Sequence, residues 1–325
     1  MNPPLHIFNH LMNKYLSKKI TSRQYQSEAD LVAMQSLLKE SRFLTDDWCY
    51  AHVGDLLFWF FQIAIHLNPH EHIRLWYADE KLVGYSILGE DPSFDVQVHP
   101  EFIWQGIEEQ ALEWAEKRLI ELRCTEATLW GGNLVSGSRQ DDPARITFLE
   151  QHGFHAGGEF SEVNMLCSLN HEIPEGTIPD GYVVRSVSEQ GELSNRAEAQ
   201  RDVWHPWTVG NLKDEDYTMM MRLSGYDREL DVVAITRDGV IAAYVNGWND
   251  DLNKIGDFGP LGTRPAYRRQ GLMRVVLLEC LRRMQARRMN RVCVSTGVTN
   301  FPAQKLYEGV GFKIANQYLE FVKPG

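Results

Sequence analysis

A chain of 325 residues, 43% hydrophobic and with a formal net charge of −11, has the balance of a globular protein long enough for two domains of ordinary size. Its acidity argues against nucleic acid as a partner, because phosphate repulsion opposes binding. The best apolar run, 56–67, is too short to span a bilayer and contains Gln62 and His66. Met1–Lys19 lacks the apolar block of a secretory signal, so no membrane partner and a cytoplasmic location are expected.

In chain order, the first half opens on a β-prone stretch, Ile20–Tyr25, followed by helical patterns. Strands at Ile73–Ala78 and Leu82–Leu88 flank the polar turn Asp79-Glu80-Lys81. A further strand leads to an amphipathic helix near Gly106–Leu122, then a strand at Ala127–Trp130 and a short helix ending in Gly153-Phe154. The segment 171–181, with two prolines, two glycines and no sustained period, reads as a linker. The same order then repeats about 160 residues later. It runs through Tyr182–Val187, helices, strands Asp231–Thr236 and Val240–Trp248 around Arg237-Asp238-Gly239, and a further strand. A long helix near Gly271–Arg287, a strand at Arg291–Ser295 and a short helix ending in Gly311-Phe312 complete it. Strands alternating with helices give an α/β (α+β) class. The expected units are 1–170, a linker 171–181, and 182–325.

Cys49, Cys124, Cys167, Cys280 and Cys293 form no CxxC pair, so neither a metal site nor a redox motif is expected, and they read as reduced core residues. Nine arginines crowd the segment between Arg264 and Arg291, an island suited to a small polyanion, although a solvated helix face gives the same pattern. Within it, Arg268-Arg269-Gln270-Gly271-Leu272-Met273 follows a strand and a turn at Pro265 and opens a helix. Unpaired amides and partial positive charge at such a start make an anion site. Gly271 adds close approach, and the two arginines add charge, which suits a pyrophosphate. GxxxxGK[ST] is absent, and no GxGxxG follows the first strand of either half.

This loop, taken with Asn300…Ala303…Leu306-Tyr307…Gly311-Phe312 downstream, resembles the GNAT (Gcn5-related N-acetyltransferase) superfamily over roughly Tyr182 to the C-terminus. Met273 departs from the usual Gly or Ala. The resemblance implies two tandem GNAT-like domains, each a mixed, mostly antiparallel sheet flanked by helices, in an arrangement similar to mycothiol synthase-like enzymes. It implies acetyl-CoA as co-substrate, with no metal. The pantetheine arm would lie along Leu261, Gly262 and Thr263, and the pyrophosphate on the loop amides of Arg269–Met273, beside Arg268. Asn300, Ala303 and Leu306 would complete the cofactor site.

Tyr307 matches the family's general acid, and a half-buried aromatic closing its helix is the alternative. Asp257 resembles the carboxylate that serves some members as base, and an outward-facing strand residue is the alternative; Asp231, Asp250 and Asp251 stand in reserve. Asn300 also suits a plain helix cap. Trp204, His205 and Trp207 would line the acceptor pocket, or serve as core aromatics.

The first half resembles the family weakly. Ile103 replaces Arg268, Glu108 replaces Met273 and Leu149 replaces Tyr307. A degenerate, non-catalytic domain over 1–170 is therefore expected. The expected activity is transfer of acetyl from acetyl-CoA to a primary amine of a small molecule by direct attack in a ternary complex. A peptide or protein amine is the second enzymatic option. A non-catalytic acyl-CoA sensor or scaffold is the other class. Oligomeric state is left open.

Overall fold

The computed structural model describes residues 19–45, 50–90, 92–125, 132–188 and 191–325, and in these the strands of both halves join one 12-stranded sheet. The first half runs β1 Ile20–Gln24, α1 Glu28–Thr45, α2 Val53–His66, α3 Pro69–His72, β2 Ile73–Ala78, β3 Lys81–Gly89, β4 Ser93–Val98, α4 Ile107–Thr125, β5 Leu134–Arg139, α5 Pro143–Gln151 and β6 His155–Ser168. The second runs β7 Tyr182–Ser186, α6 Leu193–Trp204, α7 Asp214–Arg222, β8 Asp231–Thr236, β9 Ile241–Asp250, β10 Ile255–Thr263, α8 Leu272–Ala286, β11 Arg291–Gly297, α9 Phe301–Glu308 and β12 Lys313–Lys323. The segment between β6 and β7 carries neither helix nor strand.

Most of the expected elements fall within a residue or two of these bounds, because period-two runs and polar turns mark them directly. The expected strand at Ala127–Trp130, Cys49 and nearly all of Met1–Lys19 lie outside the described residues. β5 is not among the predicted strands. Its Ser136 and Ser138 are buried and hydrogen-bonded, Ser136 Oγ donating to Phe94 O at 2.9 Å, which hides a strand inside a polar sequence. Cys167, Cys280 and Cys293 are buried as expected, but Cys124, in the last turn of α4, is exposed.

The sheet order is β1-β2-β3-β4-β5-β12-β6-β11-β10-β9-β8-β7, so the last strand of each half pairs with the fifth strand of the other. β6 runs antiparallel to β11 from Ser168↔Arg291 to Glu162↔Gly297, while β12 runs antiparallel to β5 from Tyr318↔Arg139 to Lys323↔Leu134. Only β4–β5 and β10–β11 are parallel among the described pairs. The cores follow the exchange. Val163, Met165, Cys167 and Leu169 of β6 and the residue after it pack under α8, and Phe321 of β12 packs under α4. A third core joins α1 and α2 to Ala197, Tyr217, Met220 and Trp248 of the second half.

Candidate active site

The site begins where β10 and β11 part. Their parallel register runs only from Ile255↔Arg291 to Asp257↔Cys293. Beyond it, β11 follows β6, whereas β10 stays with β9 through a bulge between Phe258 and Leu261. A bulge bends its strand and raises the local twist. The Trp248 indole N–H donates to Gly259 O inside the bulge. Leu261 and Thr263 pair with Val245 and Ala243 on one side only, so their other edge faces the opening between the strands. Gly262 lies against α6, where a Cβ would sit 2.1 Å from Val203 Cγ1.

A turn at Pro265–Tyr267 leads from β10 to the basic loop. Arg269 (φ 63°) and Gly271 (φ 80°) are both left-handed, and Gly271 is the N-cap of α8 with no side-chain cap. A Cβ on Gly271 would meet nothing within 4 Å, so the helix start is open. Its first amides lack partners within the helix, as at any helix N-terminus. Arg268 Nε donates to Thr263 O at 3.2 Å, and Gln270 accepts from the Tyr182 hydroxyl at 2.7 Å. Leu272 and Met273 are buried in the core beneath, so Met273 turns its bulk away from the surface. Much of the arginine island serves other ends. Arg264 pairs with Glu198 and Asp202, Arg282 with Glu175, and Arg287 with Asp227.

Across the opening, Asn300 caps α9, accepting from Ala303 N–H at 3.4 Å and donating to Thr296 Oγ1 at 3.1 Å. Ala303 and Leu306 pack at the margin of the second-half core. Tyr307 is buried against Phe312, ring centroids 5.9 Å apart, and its hydroxyl has no hydrogen bond to any described residue. Burial, and then the charge of Asp257, push its proton affinity up, which keeps the phenol protonated.

Asp257 is buried near the start of β10 and accepts from Cys293 Sγ at 3.3 Å. Burial raises its pKa well above the ordinary carboxylate range, and the charge of Asp55 raises it further. Asp55 responds in the same direction, chiefly through burial. Asp55, whose charge acts on Asp257, and the groups that place it are the candidate residues that sequence reasoning missed. Asp55 stands at the third position of α2, where Oδ2 accepts the His52 amide at 2.9 Å, and His52 Nδ1 accepts from Gly54 N–H at 3.0 Å. This capping box is fastened to the second half. His52 Nε2 lies 3.3 Å from Ile255 O, two residues before Asp257, and burial lowers the His52 pKa to about 3, so the ring is neutral and donates there. Gly54 seats α2 on Trp248, since a Cβ would approach its ring to 2.6 Å. The signal available in the sequence was the local capping pattern; the partner half was not readable from it.

The remaining candidates lie apart from this pair. Trp204 ends α6 and donates to the Tyr244 hydroxyl at 2.9 Å, while His205 and Trp207 face solvent. Asp231 is taken up by Arg196, Tyr217 and Tyr226, and Asp250 accepts from the amides of Leu252 and Asn253. Asp251 is exposed in the turn after β9.

Splayed parallel strands, a bulge, an open arginine-bearing helix start and a buried tyrosine define an acetyltransferase fold, and the acetyltransferase (GNAT) family model matches residues 197–312. That match identifies a GNAT acetyltransferase domain over 197–312, and the chain as a whole shares its fold with GNAT proteins, a tandem one among them. Among curated relatives, it is 25% identical to the mycothiol acetyltransferase of Acidothermus cellulolyticus over 269 residues, covering 74% of this chain and 76% of that one. Among solved structures, it resembles a GCN5-related N-acetyltransferase from Sphaerobacter thermophilus (TM-score 0.62, 20% identity, 94% of this chain and 95% of the other). It also resembles a tandem GNAT protein from the clavulanic acid biosynthesis pathway (TM-score 0.62, 13% identity, 94% and 98%).

Proposed function

We propose that the second half transfers an acetyl group from acetyl-CoA to a primary amine of a small molecule, by direct attack in a ternary complex. The observation that carries this reading is the pairing of an uncommitted buried phenol, Tyr307, with a buried carboxylate, Asp257, beside the β10–β11 opening. The residues fit the co-substrate. Leu261 and Thr263 would hold the pantetheine arm by the edge turned away from β9. Amides 269–273 with Arg268 and Arg269 would hold the pyrophosphate, and Gly262, Gln270, Leu272, Asn300, Ala303 and Leu306 would shape the surroundings.

The acceptor arrives mostly as an ammonium. The charge of Asp55 raises the proton affinity of Asp257, so a cation placed between them relieves the repulsion, and Asp257 then takes its proton. The freed amine nitrogen attacks the thioester carbonyl carbon, the C–S bond breaks, the departing sulfur takes the Tyr307 proton, and the nitrogen's second proton returns to the Tyr307 phenolate to leave the neutral amide. Asp55, a first-half residue, anchors the amine. The first half is then a degenerate domain that binds no co-substrate of its own and lends Asp55 to the acceptor side of the site, with 171–181 as linker.

The test is amine-dependent release of CoA thiol from acetyl-CoA, across polyamines, amino sugars, amino acids and peptides. Tyr307→Phe should lower kcat about 100-fold or more, the usual worth of a positioned acid, with acetyl-CoA affinity unchanged. Full activity in that variant would remove Tyr307 from the reaction.

A further inference from the structure

The first half repeats the backbone of the cofactor site but fills it with its own side chains. Trp104 (φ 56°) and Gly106 (φ 96°) are left-handed, as are Arg269 and Gly271 in the same places of the second half. The helix that follows, α4, begins at Ile107 as α8 begins at Leu272. At the second-half loop the Arg269 amide is offered to a ligand. At the first-half loop the matching Trp104 amide donates to Glu108 Oε1 at 2.8 Å, and Glu108 is buried. A carboxylate of the chain therefore sits where an anion would be received.

The strand opening is filled likewise. β4 and β5 are parallel at Ser93↔Val135 and then part, as β10 and β11 do after Asp257. β4 keeps an unbroken register with β3, from Gly84↔Val98 to Gly89↔Ser93, so it lacks the bulge of β10. Into the gap comes Arg145. Its Nη1 donates to Val96 O of β4 at 3.1 Å, and its Nε donates to Gly137 O of β5 at 2.7 Å. Nη2 reaches Asp95 Oδ1, also at 3.1 Å. The guanidinium thus bridges the backbones of both splayed strands. Arg145 is held by the Asp142 cap of α5, as Ala303 is held by the Asn300 cap of α9, so the two residues are counterparts. Where the second half has a methyl group, the first has five hydrogen-bond donors in a fixed fork.

We propose that the first half is a self-occupied acyl-CoA site, with Glu108 standing in for the pyrophosphate and Arg145 for the polar pantetheine arm, so that it takes no acyl-CoA and keeps its shape without one. The proposal rests on the cofactor reading of the second half, and the test separates the two. Hydrogen exchange is measured on the full chain with and without acetyl-CoA. Protection is expected over 261–273 and 299–307, with none over 93–108 or 134–146. Protection of both regions would overturn the proposal and leave the second-half reading intact. Protection of neither would remove the second-half reading on which it rests. In a Glu108→Gln, Arg145→Ala variant, exchange over 93–98, 102–108 and 134–139 should rise at least tenfold, with acetyl-CoA affinity within twofold of wild type. Unchanged exchange would show that these side chains do not fill the site, and Arg145→Ala alone supplies the same readout should the double variant not fold.

Discussion

At the scale of residues, the proposed chemistry rests on two carboxylates that come from different halves. Asp257 would be a poor base on ordinary terms, because a carboxylate near its usual pKa takes little driving force from an ammonium. Burial and Asp55 correct this by pushing its affinity upward. The sign of the consequence is definite. Asp257 must be ionised to accept a proton, so kcat/KM should rise with pH through its elevated pKa. Removing the like charge beside it lowers that pKa, so Asp55→Asn should move the ascending limb of the pH–rate profile to lower pH and raise KM for the amine. An unmoved limb would mean that Asp55 does not face Asp257 in the working enzyme. Arg42, buried nearby, opposes both carboxylates' elevation by its own charge and limits the size of the movement.

At the scale of elements, the site depends on backbone brought closer than side chains allow. Gly262 is the sharpest case. α6 packs on β10 so that Val203 occupies the place of a Cβ, and Gly262→Ala must push strand and helix apart. That change should cost about 1–3 kcal/mol of stability, as overpacking does, and weaken acetyl-CoA binding by displacing Leu261 and Thr263. Denaturant unfolding and calorimetry would check both, and a neutral result would mean that α6 yields freely. α6 is itself fixed by Arg196, buried at its centre, which donates to Asp231 at 3.1 Å and lies 3.5 Å over the Tyr244 ring. Elements such as these were legible where periodicity marks them. The basic loop, the Asn300 cap and the Gly311-Phe312 turn were readable because each depends on a local run of residues. Asp55 and β5 were not. The role proposed for Asp55 arises from α2 docking on β10, and β5 hides its serines by burial, with Ser136 bonded to Phe94 O of β4 and Ser138 to Arg139 O of its own strand.

At the scale of the whole molecule, the duplication legible as a 160-residue repeat is closed by an exchange that no local pattern records. A strand's sequence encodes its faces and not its partner, so the crossing of β6 and β12 had no signature. Its effect is that neither half completes its own core. A fragment 182–325 would lose the seven-residue register of β6 on β11, together with Val163, Met165, Cys167 and Leu169 from beneath α8. It would expose a long edge at β11. We expect that fragment to show no cooperative unfolding by circular dichroism; a cooperative transition would show that the exchanged strand is dispensable. The half without a cofactor loop reaches the second-half strands through α2, which His52 and Gly54 seat against Ile255 and Trp248.

The most direct measurement is calorimetric titration of the full chain with acetyl-CoA, beside a Gly271→Glu variant whose carboxylate would occupy the open helix start. One site per chain in the wild type, lost in a folded variant, is the predicted result. No binding by the wild type, or binding that survives Gly271→Glu, would contradict placement of acetyl-CoA at the second-half loop and, with it, the assignment of transfer to Tyr307 and Asp257.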